Sequence, residues 1–418
     1  MNSSPNRDAQ YTAALQFAER QVRSLIETHP DFFPMYTVRG KWKHGGEKWT
    51  HWTDGFLGGM MWQFYLRGKD AWWRNRAEHY SKLLEDRQHD RNVHDLGFIF
   101  LSTYLPWYEL ESNCLVDAAV NPGVHAGLVN RPVHGPSAQH LHDVLIQAGR
   151  TLAMRFKEKG RYLRSFVSDD SLFIDIMMNV PIIFYAAIET GDRELARVAA
   201  AHCRTTRDKI VRADGSTAHE GIFDLQTGQF LREDTHQGLA GNSAWARGLA
   251  WSLYGYAKCF ALTGEREWLE VAERNARYWI DHLPADRVPY WDFHADLKQP
   301  PPWGAQKESS AGAIAASGLL DLARLTSDAT RRGEYEQCAL KMLDAMVQPE
   351  YLASETPAWE GILKHGVYHT KKNLGVDESV MWGEYFFVEA LTKVAANQYG
   401  RLAPDALARN RERYAAIA

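Results

Sequence analysis

Three stretches of this chain place a polar or charged group where an apolar pattern should exclude one. In Phe173-Ile174-Asp175-Ile176-Met177-Met178-Asn179, Asp175 has apolar neighbours on both sides, and Asn179 lies one helical turn on. A carboxylate in that setting is costly unless it is paired or protonated, which is the condition of a general acid or base. In His94-Asp95-Leu96-Gly97-Phe98, Asp95 heads an apolar run. An acid in a first helical turn also serves the helix dipole, so Asp95 reads either as a site residue or as an N-terminal charge. In the stretch from His236 to Trp251, Arg247 and Trp251 are four apart and share a helix face, an arrangement suited to an anionic sugar held by charge and stacking. The competing reading pairs Arg247 with a structural carboxylate. Two carboxylates, an Arg and several Trp point to chemistry on an acidic sugar.

The elements that must position these residues are helices. Apolar segments Gly58–Leu66, Val180–Ile188, Leu249–Leu262 and Ala311–Leu325 are each followed by a short polar turn. An amphipathic segment then begins, at Ala71, Arg193, Trp268 and Tyr335 respectively. Each unit reads as a buried inner helix, a turn with an acid placed to cap the next helix, and a half-exposed outer helix. The spacing is too long for common solenoids. We therefore expect an all-α (α/α)6 toroid of six helical hairpins, with loops at one end carrying function, spanning residues 1–418 as one domain with its first residues, to about Gln10, disordered. Asn113 to His142 and Asp286 to Pro302 read as loops over the mouth.

Composition narrows the function classes. The chain has 418 residues, a formal charge of −4 and 45% apolar residues, with 15 Trp, 18 Tyr and 17 Phe. A near-neutral balance without a basic run argues against nucleic acid or an anionic membrane surface as partner. Four scattered cysteines, with no CxxC pair, suggest neither a disulfide framework nor a zinc site. No apolar leader or spanning segment is visible, so a cytoplasmic protein is expected. P-loop, GxGxxG, GxSxG and HExxH motifs are absent, which removes most of the case for nucleotide, hydride, serine-hydrolase and zincin chemistry. His134, His140 and His142 have metal-like spacing but no acid or Cys in register, and read as solvated.

Several long phrases in one order then make the chain recognisable. WTDGF at 52–56, HDLGF at 94–98, IDIMMN at 174–179, SAWARGLAW at 243–251, PYWDF at 289–293, SSAGAIAASGLLDLA at 309–323 and MWGEYFFVEAL at 381–391 resemble the unsaturated glucuronyl hydrolases, glycoside hydrolase family 88. The resemblance covers most of the chain. It implies an (α/α)6 barrel and an enzyme that removes a 4-deoxy-4,5-unsaturated uronic acid from the non-reducing end of lyase-generated oligosaccharides. That substrate would be its partner, with no cofactor and no metal; the chain would be a monomer or a dimer.

By this resemblance Asp175 matches the general acid and base, and Asp95 its essential partner. Trp245, Arg247 and Trp251 match sugar-site residues, Gln237 and His219 match ring contacts, and Trp52 matches a stacking aromatic. For Asp175 to protonate C4 of the unsaturated ring it must keep a proton, which apolar neighbours and a negative Asp95 would favour. Leu57 and Gly58 after WTDGF, a missing Trp in RSFVS at 164–168 and a longer Asn113–His142 segment depart from the family on the leaving-group side. Lys371 and Lys372 read as solvated or as contacts to a charged next sugar. Unsaturated rhamnogalacturonyl hydrolases share the fold and parts of these phrases. A non-catalytic toroid would bind the sugar without consuming its chromophore, and an epimerase would need a histidine pair at the funnel floor.

Overall fold

The computed structural model describes residues 5–45, 49–112, 136–395 and 404–418. Six inner elements close into a ring. Asp54–Gly68 packs on Leu96–Phe100, which packs on Pro181–Thr190, then Ala246–Thr263, Ser309–Leu325 and Met381–Ala395, which returns to Asp54–Gly68. Each inner element has an outer partner: Ala71–Lys82, Pro136–Ala153, Arg193–Lys209, Arg266–His282 and Ala329–Met346, with Pro5–Thr28 packed on Met381–Ala395. The start of the chain thus supplies the outer helix of the last hairpin.

The burial pattern follows the sequence pattern. Every residue of Ser309–Leu325 is buried, whereas Arg266–His282 buries one stripe that includes Trp268 and Trp279. Gly191, at φ 71°, ends Pro181–Thr190 in the left-handed conformation that glycine adopts freely. The following Asp192 then accepts from the amides of Glu194 and Leu195. Asp70 and Asp328 cap their outer helices in the same way, while Glu265 makes no such bond.

Two expectations are corrected. The chain is helical from Pro5, with Arg7 and Tyr11 both bonded to Asp344, so residues 5–10 are held in a helix. The stretch expected as a loop up to His142 turns helical at Pro136. Its HLHDVL sequence has helical amphipathy, and His140 and His142 reach Glu85 and Glu189. Residues 113–135, including Cys114 and His134, lie outside the described residues. Cys203, Cys259 and Cys338 are free and buried.

Short strands are the part the sequence did not show. Ser171–Phe173, Glu220–Phe223 and Phe230–Asp234 form a three-stranded antiparallel sheet; Gly366–His369 pairs with Leu374–Glu378. Residues preceding the inner helices gather at one end of the ring: Trp52, Asp95, Asp175, Trp245 and Glu308. Among the described residues no helix is long and apolar enough to cross a membrane.

Candidate active site

Asp175 sits in the tight turn Ile174–Met178, directly after the strand Ser171–Phe173, and His219 directly precedes the antiparallel partner strand. The Ile174 amide donates to the His219 carbonyl at 2.9 Å. This pairing brings the His219 Nε2 to 3.5 Å from Asp175 Oδ2. His219 Nδ1 accepts the backbone amides of His236 at 3.0 Å and Gln237 at 3.2 Å, so the ring proton sits on Nε2, facing the carboxylate.

Asp95 is held by a parallel device. Its Oδ2 accepts from Thr50 Oγ1 at 3.0 Å, and its Oδ1 lies 3.2 Å from His94 Nε2. His94 Nδ1 in turn accepts the Phe166 amide at 3.0 Å. Asp95 occupies the position before Leu96–Phe100 but makes no capping bond with its side chain. The Asp95 side chain is thus not engaged as a cap and accepts instead from Thr50.

Asn179 joins the two acidic segments. Its Oδ1 accepts the Phe98 amide at 2.8 Å and its Nδ2 donates to the Asp175 carbonyl at 3.2 Å. Gly97 permits this approach, because a Cβ there would lie 2.4 Å from Asn179 Cα. Gly255 does the same for the helix behind Asp175, where a Cβ would meet the Met177 carbonyl oxygen at 2.3 Å.

Burial is the largest influence on both carboxyls and raises both. For Asp95 it wins, aided by the negative Asp175 and opposed by Thr50, and the carboxyl is pushed up to about 7. For Asp175 the facing His219 imidazole, followed by His94 and Arg247, outweighs burial and holds it below the usual carboxylate range. The expectation that Asp175 keeps a proton in the free protein is therefore corrected: the proton of the pair rests on Asp95. The sequence showed the apolar neighbours of Asp175 but not the imidazole and guanidinium that the fold sets beside it.

Arg247 is 1% exposed, and both terminal nitrogens of its guanidinium are engaged, while its buried Nε has no partner. It donates to the carbonyls of Val367 and Tyr368 and to Gln237 Oε1, with Glu308 at 4.0 Å. The guanidinium lies between the rings of Trp245 and Trp382, at 4.5 and 4.8 Å from their centroids. The reading in which Arg247 and Trp251 together face a sugar is corrected. Trp251 is 0% exposed, packed against Phe98 and Phe386. Arg247 instead fixes Gln237 and the strand Gly366–His369, and its carboxylate partner is structural.

Trp245 is also buried, with its ring centroid 4.6 Å from that of His219. Trp52 is the half-buried member of the expected aromatic wall, at 4.8 Å from Trp382 and 5.4 Å from Phe98. Half-buried Trp49 and His236 lie beside it at the mouth, 5.2 Å apart, with Lys372 over the Trp49 ring. Asp175, His219, Gln237, Trp245 and Arg247 are brought together as expected. Thr50, His94, Trp382, Glu308 and the carbonyls of 367 and 368 were missed. Only His94 carried a local signal, its adjacency to Asp95. Among the described residues no three His, Cys, Asp or Glu side chains form a group able to hold a metal ion.

The ring with two buried carboxyls at one end defines an (α/α)6 toroid with a candidate acid–base pair, and comparison with known proteins gives the class. The profile described as Glycosyl Hydrolase Family 88 matches residues 34–378. The chain is 32% identical over 349 residues to an unsaturated glucuronyl hydrolase of Formosa agariphila, across 82% of this chain and 79% of that relative. It is 31% identical over 356 residues to the unsaturated glucuronyl hydrolase of Bacillus sp. strain GL1, across 82% and 86%. A crystal structure of an unsaturated glucuronyl hydrolase specific for heparin superposes with a TM-score of 0.79 at 27% identity, across 93% of this chain and 97% of that one. The chain belongs to glycosyl hydrolase family 88.

Proposed function

We propose that this enzyme releases the 4-deoxy-4,5-unsaturated uronic acid from the non-reducing end of oligosaccharides left by polysaccharide lyases, by hydrating the C4=C5 vinyl ether. Asp175 is the general acid and base, and Asp95 is its partner. The observation that carries this reading is the coupled pair itself: two buried carboxyls, each facing an imidazole Nε2, with the proton-holding one pushed up to about 7. A pair that holds one proton near neutrality suits a reaction that first donates a proton and then recovers one.

A bound uronate brings its own negative charge against Asp175, which raises the proton affinity of that carboxyl and draws the proton of the pair toward it. Transfer of that proton to C4 leaves positive charge shared between C5 and the ring oxygen. Water adds at C5 and returns a proton to the Asp175 carboxylate. The hemiketal opens to a ketone at C5, and the hemiacetal left at C1 collapses to an aldehyde and expels the remaining saccharide. A standard glycosidase would instead protonate the leaving oxygen and attack C1. The steps written here are proton transfers and addition of water, and they draw on no cofactor.

Trp52 would wall the ring at the mouth, with Gln237 and His219 at its polar edge. Lys371 and Lys372, both exposed, would meet a charged group on the next sugar. The test is loss of the ultraviolet absorbance of unsaturated disaccharides from chondroitin, hyaluronan and heparin. Asp175→Asn should abolish that loss while leaving binding and melting temperature close to those of the unsubstituted protein. Full activity in the variant would sink the assignment, and saturable binding without consumption by the unsubstituted protein would make it a sugar-binding toroid.

A further inference from the structure

Behind the carboxyl pair lies a second layer that the reaction above does not use. His94 is buried between the rings of Phe166, 5.3 Å away, and Phe173, 5.8 Å away. The Phe166 amide occupies its Nδ1, and its Nε2 lies 3.2 Å from Asp95 Oδ1. The segment that supplies this amide is RSFVS at 164–168. Arg155 anchors that segment: it donates to the carbonyls of Arg164 and Ser165 and, from its third nitrogen, to that of Arg91. One buried guanidinium thereby clamps the stretch leading into His94 to the loop that fixes its tautomer. Thr50, the other donor to Asp95, is held from outside by Arg87 Nη2 on its carbonyl at 2.9 Å.

We infer that His94 is a positioning residue for the reaction, fixing the orientation and protonation of Asp95 through a ring whose tautomer is set by the 164–168 segment. The inference rests on the reading of Asp95 and Asp175 given above. Burial, followed by Arg155, holds the His94 imidazole down at about 3, so it remains a neutral donor across any working pH. The other charged or titratable groups around it are Asp175, His219 and His202, and Asp95 itself faces Asp175, Arg155 and Arg87. A neutral N–H donor favours the charged form of Asp95; without it, burial and Asp175 act unopposed there except by Thr50 and the arginines.

The experiment compares His94→Leu, which removes the donor, with His94→Gln, which keeps an N–H within reach. Asp175→Asn is run alongside. Readouts are kcat and KM on an unsaturated chondroitin disaccharide, the pH–rate profile and the melting temperature. The Leu variant should lose kcat by at least about tenfold, as is usual for a residue that orients a reacting group, with KM little changed. Its alkaline limb should move to higher pH, and Gln should restore both kcat and limb. If Leu does not fold, Gln decides alone: a limb and kcat close to those of the unsubstituted protein support the role, and a tenfold loss with an unmoved limb overturns it. Equal losses in Leu and Gln that track melting temperature, or full activity in Leu, also overturn it. An active Asp175→Asn would instead bring down the underlying assignment.

Discussion

His219 Nε2 stands 3.5 Å from Asp175 Oδ2 because the two residues flank paired antiparallel strands, one leaving its strand where the other enters. The backbone thus sets an imidazole against a carboxylate without either being near the other in sequence. Asp95 has a similar partner in its chain neighbour His94, yet the two carboxyls hold protons differently. Asp175 has His219, His94 and Arg247 around it, whereas Asp95 faces the negative Asp175. Their titration belongs to the pair, and its proton rests on Asp95.

The first consequence is a pH profile with one nearby limb. Below about 7, Asp95 is protonated and Asp175 charged, the state that holds one proton to donate. As pH rises through about 7 the pair loses that proton, and kcat/KM should fall roughly tenfold for each further unit. On the acid side Asp175 stays charged into the usual carboxylate range, so the rate should hold there. Measured rates that climb steadily between pH 7 and 9 would contradict this proton inventory.

Much of the fold was legible because its signals are periodic and local. Inner helices such as Ser309–Leu325 are apolar all round and outer ones are striped, and Asp192 and Asp328 are capping acids in expected places. The candidate carboxyls were legible for the same reason, as breaks in a periodic pattern. The charge state was not: Asp175 meets His219 and Arg247 only through strand pairing and ring closure. Arg247 was misplaced because its partners are largely backbone carbonyls of residues 367 and 368, groups every residue carries and no side-chain pattern reveals.

Gly97 tests whether the close approach of the two acidic segments matters. A Cβ there would fall 2.4 Å from Asn179 Cα and 2.7 Å from its carbonyl oxygen, both backbone atoms that cannot move aside cheaply. Gly97→Ala should cost about 3 kcal/mol of stability and also lower kcat, since Asn179 bridges Phe98 to the Asp175 carbonyl. Gly68→Ala is the control: a Cβ at Gly68 meets nothing within 4 Å, and thermal melting should be unchanged or slightly improved. A Gly97→Ala protein with the melting temperature and kcat of the unsubstituted protein would show that the segments need not touch.

Arg247→Lys separates a substrate contact from a structural clamp. The guanidinium spans two carbonyls and Gln237 while lying between two indole rings, a task that needs a planar fork. A lysine ammonium is a compact point charge and cannot reach all three acceptors, so Gln237 and the 366–369 strand lose their common anchor. Buried acceptors left without donors cost about 1–3 kcal/mol each, and the variant should melt several degrees lower. KM should rise as Gln237 loses its fixed position, and the two changes should appear together. If Arg247 bound the substrate carboxylate directly, Lys would weaken binding while thermal stability of the unliganded protein stayed the same. Differential scanning calorimetry of the unliganded variant beside its KM distinguishes the two.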